Sequence, residues 1–240
     1  MSTESTLGPA AAPTAELVSA PKPRQRMAPQ DRERFIVENA MRFFAERGLS
    51  GETRELARRL GITQSLIYRY FSTKDALIER VYEKWFSEYW VAAWEIMIGD
   101  RTKSLEDRLL RFYRDYARII YNYEWVRLFA FSGLAGLPHH ERFVKRNRAQ
   151  LYCWIAREMR HDYRLPPLEE VPLTEFEGEL LWGMHATVFY VGQRRWLFGL
   201  PVVDDINTIM EARVQSFLAG APPQIAAHFA ALQARKLASD

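Results

Sequence analysis

Cysteine is nearly absent from this chain of 240 residues; Cys153 is the only one. A single thiol excludes an internal disulfide framework and suits a reducing cytoplasm. Long apolar runs are missing as well. No stretch approaches the roughly 18 apolar residues of a membrane-spanning helix. Met1–Ala28 has no apolar segment and carries Glu4 and Glu16 ahead of its basic residues, so it does not read as a secretory signal. Period-two runs of β-branched residues are lacking, which argues against a sheet. The five histidines, His139, His140, His161, His185 and His228, form no metal-ligand pattern with Cys153, and no metal is expected. No Gly-rich phosphate loop, nucleophile elbow or triad is found, so neither an enzyme nor a cofactor is expected.

What is present is apolar and unevenly charged. A hydrophobic content of 48%, with 13% aromatics, supplies a sizeable core. The length favours one small and one larger domain. From Lys22 to Arg80 there are 13 Lys/Arg against 8 Asp/Glu, a net +5, while the remainder holds 20 against 22, a net −2. The basic excess therefore sits in the N-terminal third, as phosphate neutralisation would require.

Apolar spacing predicts an all-α chain of about ten helices. Residues 1–28, rich in Ala, Pro, Ser and Thr, are expected to be disordered. Lys22, Arg24 and Arg26 make this arm either a solubilising tail, the favoured reading, or a strand that reaches DNA. A first helix runs from about Asp31 to Arg47. In Thr53–Phe71 (TRELARRLGITQSLIYRYF), Leu56, Ala57 and Leu60 define one apolar turn, with Thr53 as its cap. Gly61 ends that helix, because glycine enters the left-handed conformation without a Cβ penalty. Thr63 caps a second helix bearing Leu66, Ile67, Tyr70 and Phe71. Two short helices about a tight turn form a helix-turn-helix, whose second helix enters the DNA major groove.

The flanks extend the pattern. Ile36, Ala40, Phe44 and Gly48 precede it, and Tyr68, Phe71, Lys74 and Leu77 follow. With Thr53, Leu56, Ala57, Gly61, Ile62, Thr63 and Ile67, this order and spacing resembles the tetracycline-repressor (TetR-like) family of bacterial transcription regulators. The resemblance covers the N-terminal quarter. It implies a helix-turn-helix DNA-binding domain at 29–89, with the motif at 52–71, and a larger helical effector-binding and dimerisation domain at 90–240. It further implies DNA contacts at Thr53, Thr63, Gln64, Ser65, Tyr68, Arg69, Tyr70 and Lys74.

Residue chemistry supports several of these contacts independently. The Gln64 amide suits bidentate pairing with adenine, and Lys74 at the start of a helix suits a phosphate. Thr53 reads equally as a cap, and Tyr70 as packing between helices. Glu52 puts an acid beside the same turn.

Downstream, Ser72–Asp75 reads as a capping box for a long helix carrying Leu77, Val81, Tyr82, Trp85, Phe86, Tyr89 and Trp90. Ser104 caps the next helix. A further helix spans about 124–134, and Pro138 opens another to about His161. Thr174 caps a helix to about Phe198 whose Glu175, Glu177 and Glu179 form a solvated start. Asp204 or Asp205 caps the following helix, and Pro222-Pro223 begins a last, weaker one. Aromatic residues are abundant beyond position 88. Stripes of this kind are usually core, and an inter-helix pocket is the alternative. Trp94, Tyr113, Tyr116, Trp125, Phe129, Trp182, His185 and Phe189 are the candidate ligand-binding residues; His185 reads more readily as a hydrogen-bonded core histidine. The resemblance implies that the helices at 174–198 and 204–219 are the dimer pair, which would form an isologous interface. With these readings, the resemblance implies a cytoplasmic homodimeric repressor released from its double-stranded DNA operator by an apolar or aromatic effector. The alternative is a helical protein of the same fold that acts on a lipid or protein partner.

Overall fold

The computed structural model describes residues 27–88 and 93–238. Most of the N-terminal arm, and Tyr89 and Trp90, lie outside the described residues, as do the side chains of Trp85 and Phe86. The architecture is all-α, as expected, with no strand among the described residues. In chain order the helices are α1 (Pro29–Arg47), α2 (Thr53–Arg59), α3 (Gln64–Tyr70), α4 (Lys74–Glu88), α5 (Ala93–Gly99), α6 (Leu105–Ile120), α7 (Tyr123–Leu134), α8 (Pro138–Asn147), α9 (Cys153–Asp162), α10 (Glu175–Trp196) and α11 (Ile206–Leu237). A π-helical turn, Arg148–Tyr152, joins α8 to α9. The expected helix from Pro138 to His161 is thus a run whose hydrogen-bonding register widens midway. The chain divides into two compact units: the segment before residue 91 groups with 122–141 and 192–201, and the remainder forms the second.

In the first unit α1 buries Phe35, Ile36, Ala40, Phe43 and Phe44, and it packs against α4 and α7. Leu56, Ala57, Leu60, Ile67 and Phe71 close the same core from α2 and α3. Two polar ties fix α7 here. Tyr82 donates its hydroxyl to the Leu128 carbonyl at 2.7 Å. Arg127 donates through Nε to the Ala45 carbonyl and through Nη1 to that of Trp196 at 2.9 Å. The carbonyl of Ala45 belongs to the last turn of α1, where no helical donor remains, so the guanidinium supplies one.

In the second unit α6 packs against α5, α9 and α11. Ser104 caps α6 as expected, accepting from the Asp107 N–H at 3.1 Å. Arg108 is buried; it donates to the Ile98 carbonyl at 2.8 Å and to Glu158 at 2.7 Å. Burial opposes ionisation of Glu158, but Arg101 and Arg108 outweigh it and hold the carboxyl below its ordinary range.

Two expectations are overturned in this unit. Glu177 is not part of a solvated helix start. It is fully buried, paired with Arg160, and it accepts from both the N–H and the hydroxyl of Thr174, at 3.2 and 3.0 Å. Thr174 accepts in return from the Glu177 N–H at 3.2 Å, which completes a reciprocal capping box. Nor do Pro222 and Pro223 begin a helix; both lie inside α11. A proline there removes the N–H that would bond four residues back. The orphaned Leu218 carbonyl accepts instead from the Tyr163 hydroxyl at 3.0 Å, so a tertiary contact replaces the lost helical bond.

Candidate nucleic-acid interface

Local chemistry builds the motif between α2 and α3. Gly61 turns the chain with φ +63. Nothing lies within 4 Å of where a Cβ would stand, so Gly61→Ala would carry backbone strain alone. We expect it to cost about 1–2 kcal/mol in chemical denaturation. A loss of under a few tenths would mean that the turn does not need the left-handed geometry.

Thr63 caps α3 as expected, its hydroxyl accepting from the Leu66 N–H at 3.2 Å. Thr53 does not cap α2. Glu52 holds that position without a side-chain bond, and Thr53 is the first helical residue. The cap of α4 is Thr73, which accepts from the Ala76 N–H at 3.0 Å, one residue later than the Ser72–Asp75 frame. That shift makes Lys74 the first residue of the helix.

The structure separates the proposed contact residues by exposure. Thr63, Ser65, Tyr68 and Arg69 are exposed, and Gln64, Tyr70 and Lys74 are half-buried. Thr53 is only 4% exposed and faces inward. Its hydroxyl accepts from the Gln64 amide at 2.9 Å and lies 3.0 Å from the Tyr68 hydroxyl. Thr53 therefore orients the two side chains that bracket the outer surface of α3. Gln64 keeps its carbonyl oxygen and its second amide hydrogen for another partner.

Two further cations went unnoticed in the sequence. Arg54 and Arg58, exposed on α2, line an open groove with Glu52, Glu55, Ala57, Ile62 and Gln64. Neither has an ion-pair partner among the described residues, whereas Arg47 and Arg59 both pair with Glu55 at 3.0 Å. Their spacing places both on one face of α2, but Glu55 stands three residues before Arg58, so only the structure, in which Glu55 pairs with Arg47 and Arg59, leaves Arg58 unpaired.

The proposed ligand residues also divide. Trp125 and Phe129 lie in the first unit, stacked on each other with ring centroids 5.1 Å apart. Trp94, Tyr113, Tyr116 and His185 meet in the core of the second. Trp94 packs edgewise on Tyr116 at 5.7 Å, and the His185 ring lies 4.5 Å from Tyr116 and 6.0 Å from Tyr113. Trp182 is 40% exposed and meets this group at the edge of Tyr152. Phe189 is half-buried. Tyr152 and Asn147 complete the cluster; Asn147 Nδ2 lies 3.4 Å from His185 Nε2. Among the described residues no cluster of His, Cys, Asp or Glu could hold a metal ion, and no helix is long and apolar enough to cross a membrane.

Residues 36–81 match the family model described as bacterial regulatory proteins, tetR family. The fold as a whole matches solved structures. A TetR-like transcriptional regulator from Rhodococcus sp. RHA1 is 17% identical; the match covers 82% of this chain and all of that one, with a TM-score of 0.55. The TetR family transcriptional regulator PfmR from Thermus thermophilus is 18% identical over 77% of this chain and 97% of that one, TM-score 0.55. A TetR-family regulator from Mesorhizobium loti is 15% identical over 81% and 98%, TM-score 0.51. No curated protein matches. The chain is TetR-like: it carries the family's helix-turn-helix and shares the family's fold.

Proposed function

We propose that this TetR-like chain is a sequence-specific DNA-binding transcriptional regulator, acting as a dimeric repressor that a small apolar or aromatic effector releases from its operator. One observation carries the DNA-binding reading. Four cations have no ion-pair partner among the described residues: Arg54 and Arg58 line a groove with Gln64 at the start of α3, Arg69 stands exposed in the last turn of α3, and Lys74 opens α4. Phosphate contacts from these cations would fix the register of the helix, and Gln64 and Ser65 would read base edges. Thr63, Tyr68 and Tyr70 supply hydroxyls for the backbone, and Thr53 serves from within by holding Gln64 and Tyr68. The dimer reading draws on α10. Leu181, Met184 and Val188 are buried, while Trp182 and Tyr190 stand 40% and 55% exposed on the same helix. Two recognition helices in successive major grooves would sit roughly 34–36 Å apart. An effector that binds better to a different spacing would shift the population away from DNA.

Fluorescence anisotropy tests this reading, with the full chain on duplexes selected from a random pool and on scrambled controls across a salt series. Arg58→Ala and Lys74→Ala are each expected to weaken binding to every duplex and to reduce the salt slope by about 1. Gln64→Ala is expected to cost about 1–3 kcal/mol on the selected duplex and little on the control. Equal, weak binding to both duplexes would instead favour a helical protein that acts on a lipid or protein partner.

A further inference from the structure

Three polar groups in the second unit are buried without a partner: the hydroxyls of Tyr113 and Tyr152 and Nδ1 of His185. Tyr113 is 0% exposed, Tyr152 1% and His185 7%. A buried polar atom left unpaired costs as much as a lost hydrogen bond, and native cores hold few of them. Two beside one histidine, with ring centroids 6.0 and 5.8 Å from it, and a third on the histidine itself are a concentrated cost. The backbone adds a second observation. Tyr152 enters the cluster from the π-helical turn Arg148–Tyr152, and such turns within α-helices are frequent at functional sites.

The hydrogen-bonding character of the group is set by its neighbours. The Asn147 amide nitrogen lies 3.4 Å from His185 Nε2; in the tautomer that pairs them Nε2 accepts and Nδ1 carries the hydrogen. Burial holds the imidazole neutral. Burial first, and then the phenol of Tyr152, push Tyr113 and Tyr116 well above the ordinary tyrosine range, so they remain protonated. In that tautomer the cluster offers an unpaired imidazole N–H and two unpaired phenol hydroxyls, each of which can donate. Tyr152 also feels the carboxylate of Glu179 and, less, the guanidinium of Arg148, and Trp94 and Phe112 wall the cluster with apolar faces.

We propose that Tyr113, Tyr152 and His185 recognise the effector by its carbonyl oxygen, and that the effector is an uncharged molecule with an aromatic or cyclic apolar body. A carbonyl oxygen, with two lone pairs, accepts from two of these groups, and the third can bond to a neighbouring hydroxyl of the cluster. A carboxylate would bring an unneutralised charge into an apolar core, which is disfavoured. The assignment rests on the effector-responsive reading above and adds the chemical class of the ligand.

Ligand-observed NMR on the full-length protein without DNA tests it, with three probes of similar size: acetophenone, ethylbenzene, which lacks the acceptor, and benzoate, which is charged. Acetophenone is expected to bind about tenfold more tightly than either of the others. Tyr113→Phe combined with Tyr152→Phe should abolish that advantage and leave ethylbenzene unchanged. The thermal midpoint of the doubly substituted protein should hold or rise, because the removed hydroxyls were unpaired. Equal binding of acetophenone and ethylbenzene, tighter binding of benzoate, or no binding of acetophenone up to its solubility would each overturn the proposal. So would a fall of several degrees in the midpoint, which would show the hydroxyls bonded within the fold. DNA affinity is read separately, so failure here leaves the operator reading standing, while failure of operator binding leaves the measured ligand preference but removes its role as an effector site.

Discussion

Glu177→Ala is expected to destabilise the protein by about 3–5 kcal/mol, the cost of leaving a buried charge without its partner. Glu177 and Arg160 are 0% and 1% exposed. Arg160 donates through Nε to Glu177 at 2.8 Å and through Nη2 to its second oxygen. Its Nη1 reaches the carbonyls of Pro166, at 3.0 Å, and Val171. One guanidinium thus ties the proline-rich connection before α10 to the first turn of that helix. Removing the carboxylate strands the guanidinium and also breaks the capping box with Thr174. Truncating both partners together, as in Glu177→Ala with Arg160→Met, should recover much of the loss, since an apolar pair needs no desolvated charges. Thermal denaturation reads the effect directly. For a chain of this size the single substitution should lower the midpoint by roughly 10 °C. A shift of a degree or two would mean that water reaches the pair and that the buried arrangement does not persist.

Acid is expected to destabilise the protein through His185. Burial among Tyr113, Tyr116 and Tyr152 lowers its pKa from 6.5 to about 3. A base depressed in this way stays neutral in the native state and takes its proton only on unfolding, so acid favours the unfolded chain. The contribution is intact above pH 6.5 and shrinks as the pH falls from there to about 3, where the folded form protonates too. The linkage amounts to about 2 kcal/mol between pH 7 and pH 5, and about 5 kcal/mol once it saturates. Urea denaturation at a series of pH values, with His185→Leu as the control, isolates this term from the carboxylates, which titrate in both proteins. The His185→Leu protein should lose less stability than the parent on going from pH 7 to pH 5. Parallel curves for the two proteins would show that water reaches the imidazole.

The N-terminal motif was legible because it is local. Caps at Thr63 and Ser104, a left-handed glycine at position 61 and the apolar spacing of α1 to α4 depend on residues within a few positions of one another. The same proximity limits what such signals resolve. Thr53 and Thr73 are equally good caps by composition, yet only Thr73 performs that role. Thr53 is drawn inward by Gln64 and Tyr68, 11 and 15 residues away. Arg54 and Arg58 do not stand out in the sequence, because the lack of an acidic partner is decided in space.

Sequence alone determined that the chain is helical, where most helices start and stop, and that its basic N-terminal segment forms a helix-turn-helix. Hydrogen bonds between near neighbours, steric limits on φ and the period of apolar residues are sufficient for this. Tertiary structure decided everything that hangs on a distant partner. It buried Glu177 against Arg160, 17 residues away, and it kept α11 continuous through two prolines by lending the Leu218 carbonyl a hydroxyl from Tyr163. It drew Tyr113, Asn147, Tyr152 and His185 together and placed Trp125 and Phe129 in the other unit. The reason is that burial free energy is non-directional and depends on area, so a helix's apolar stripe specifies that it must be covered without specifying by what.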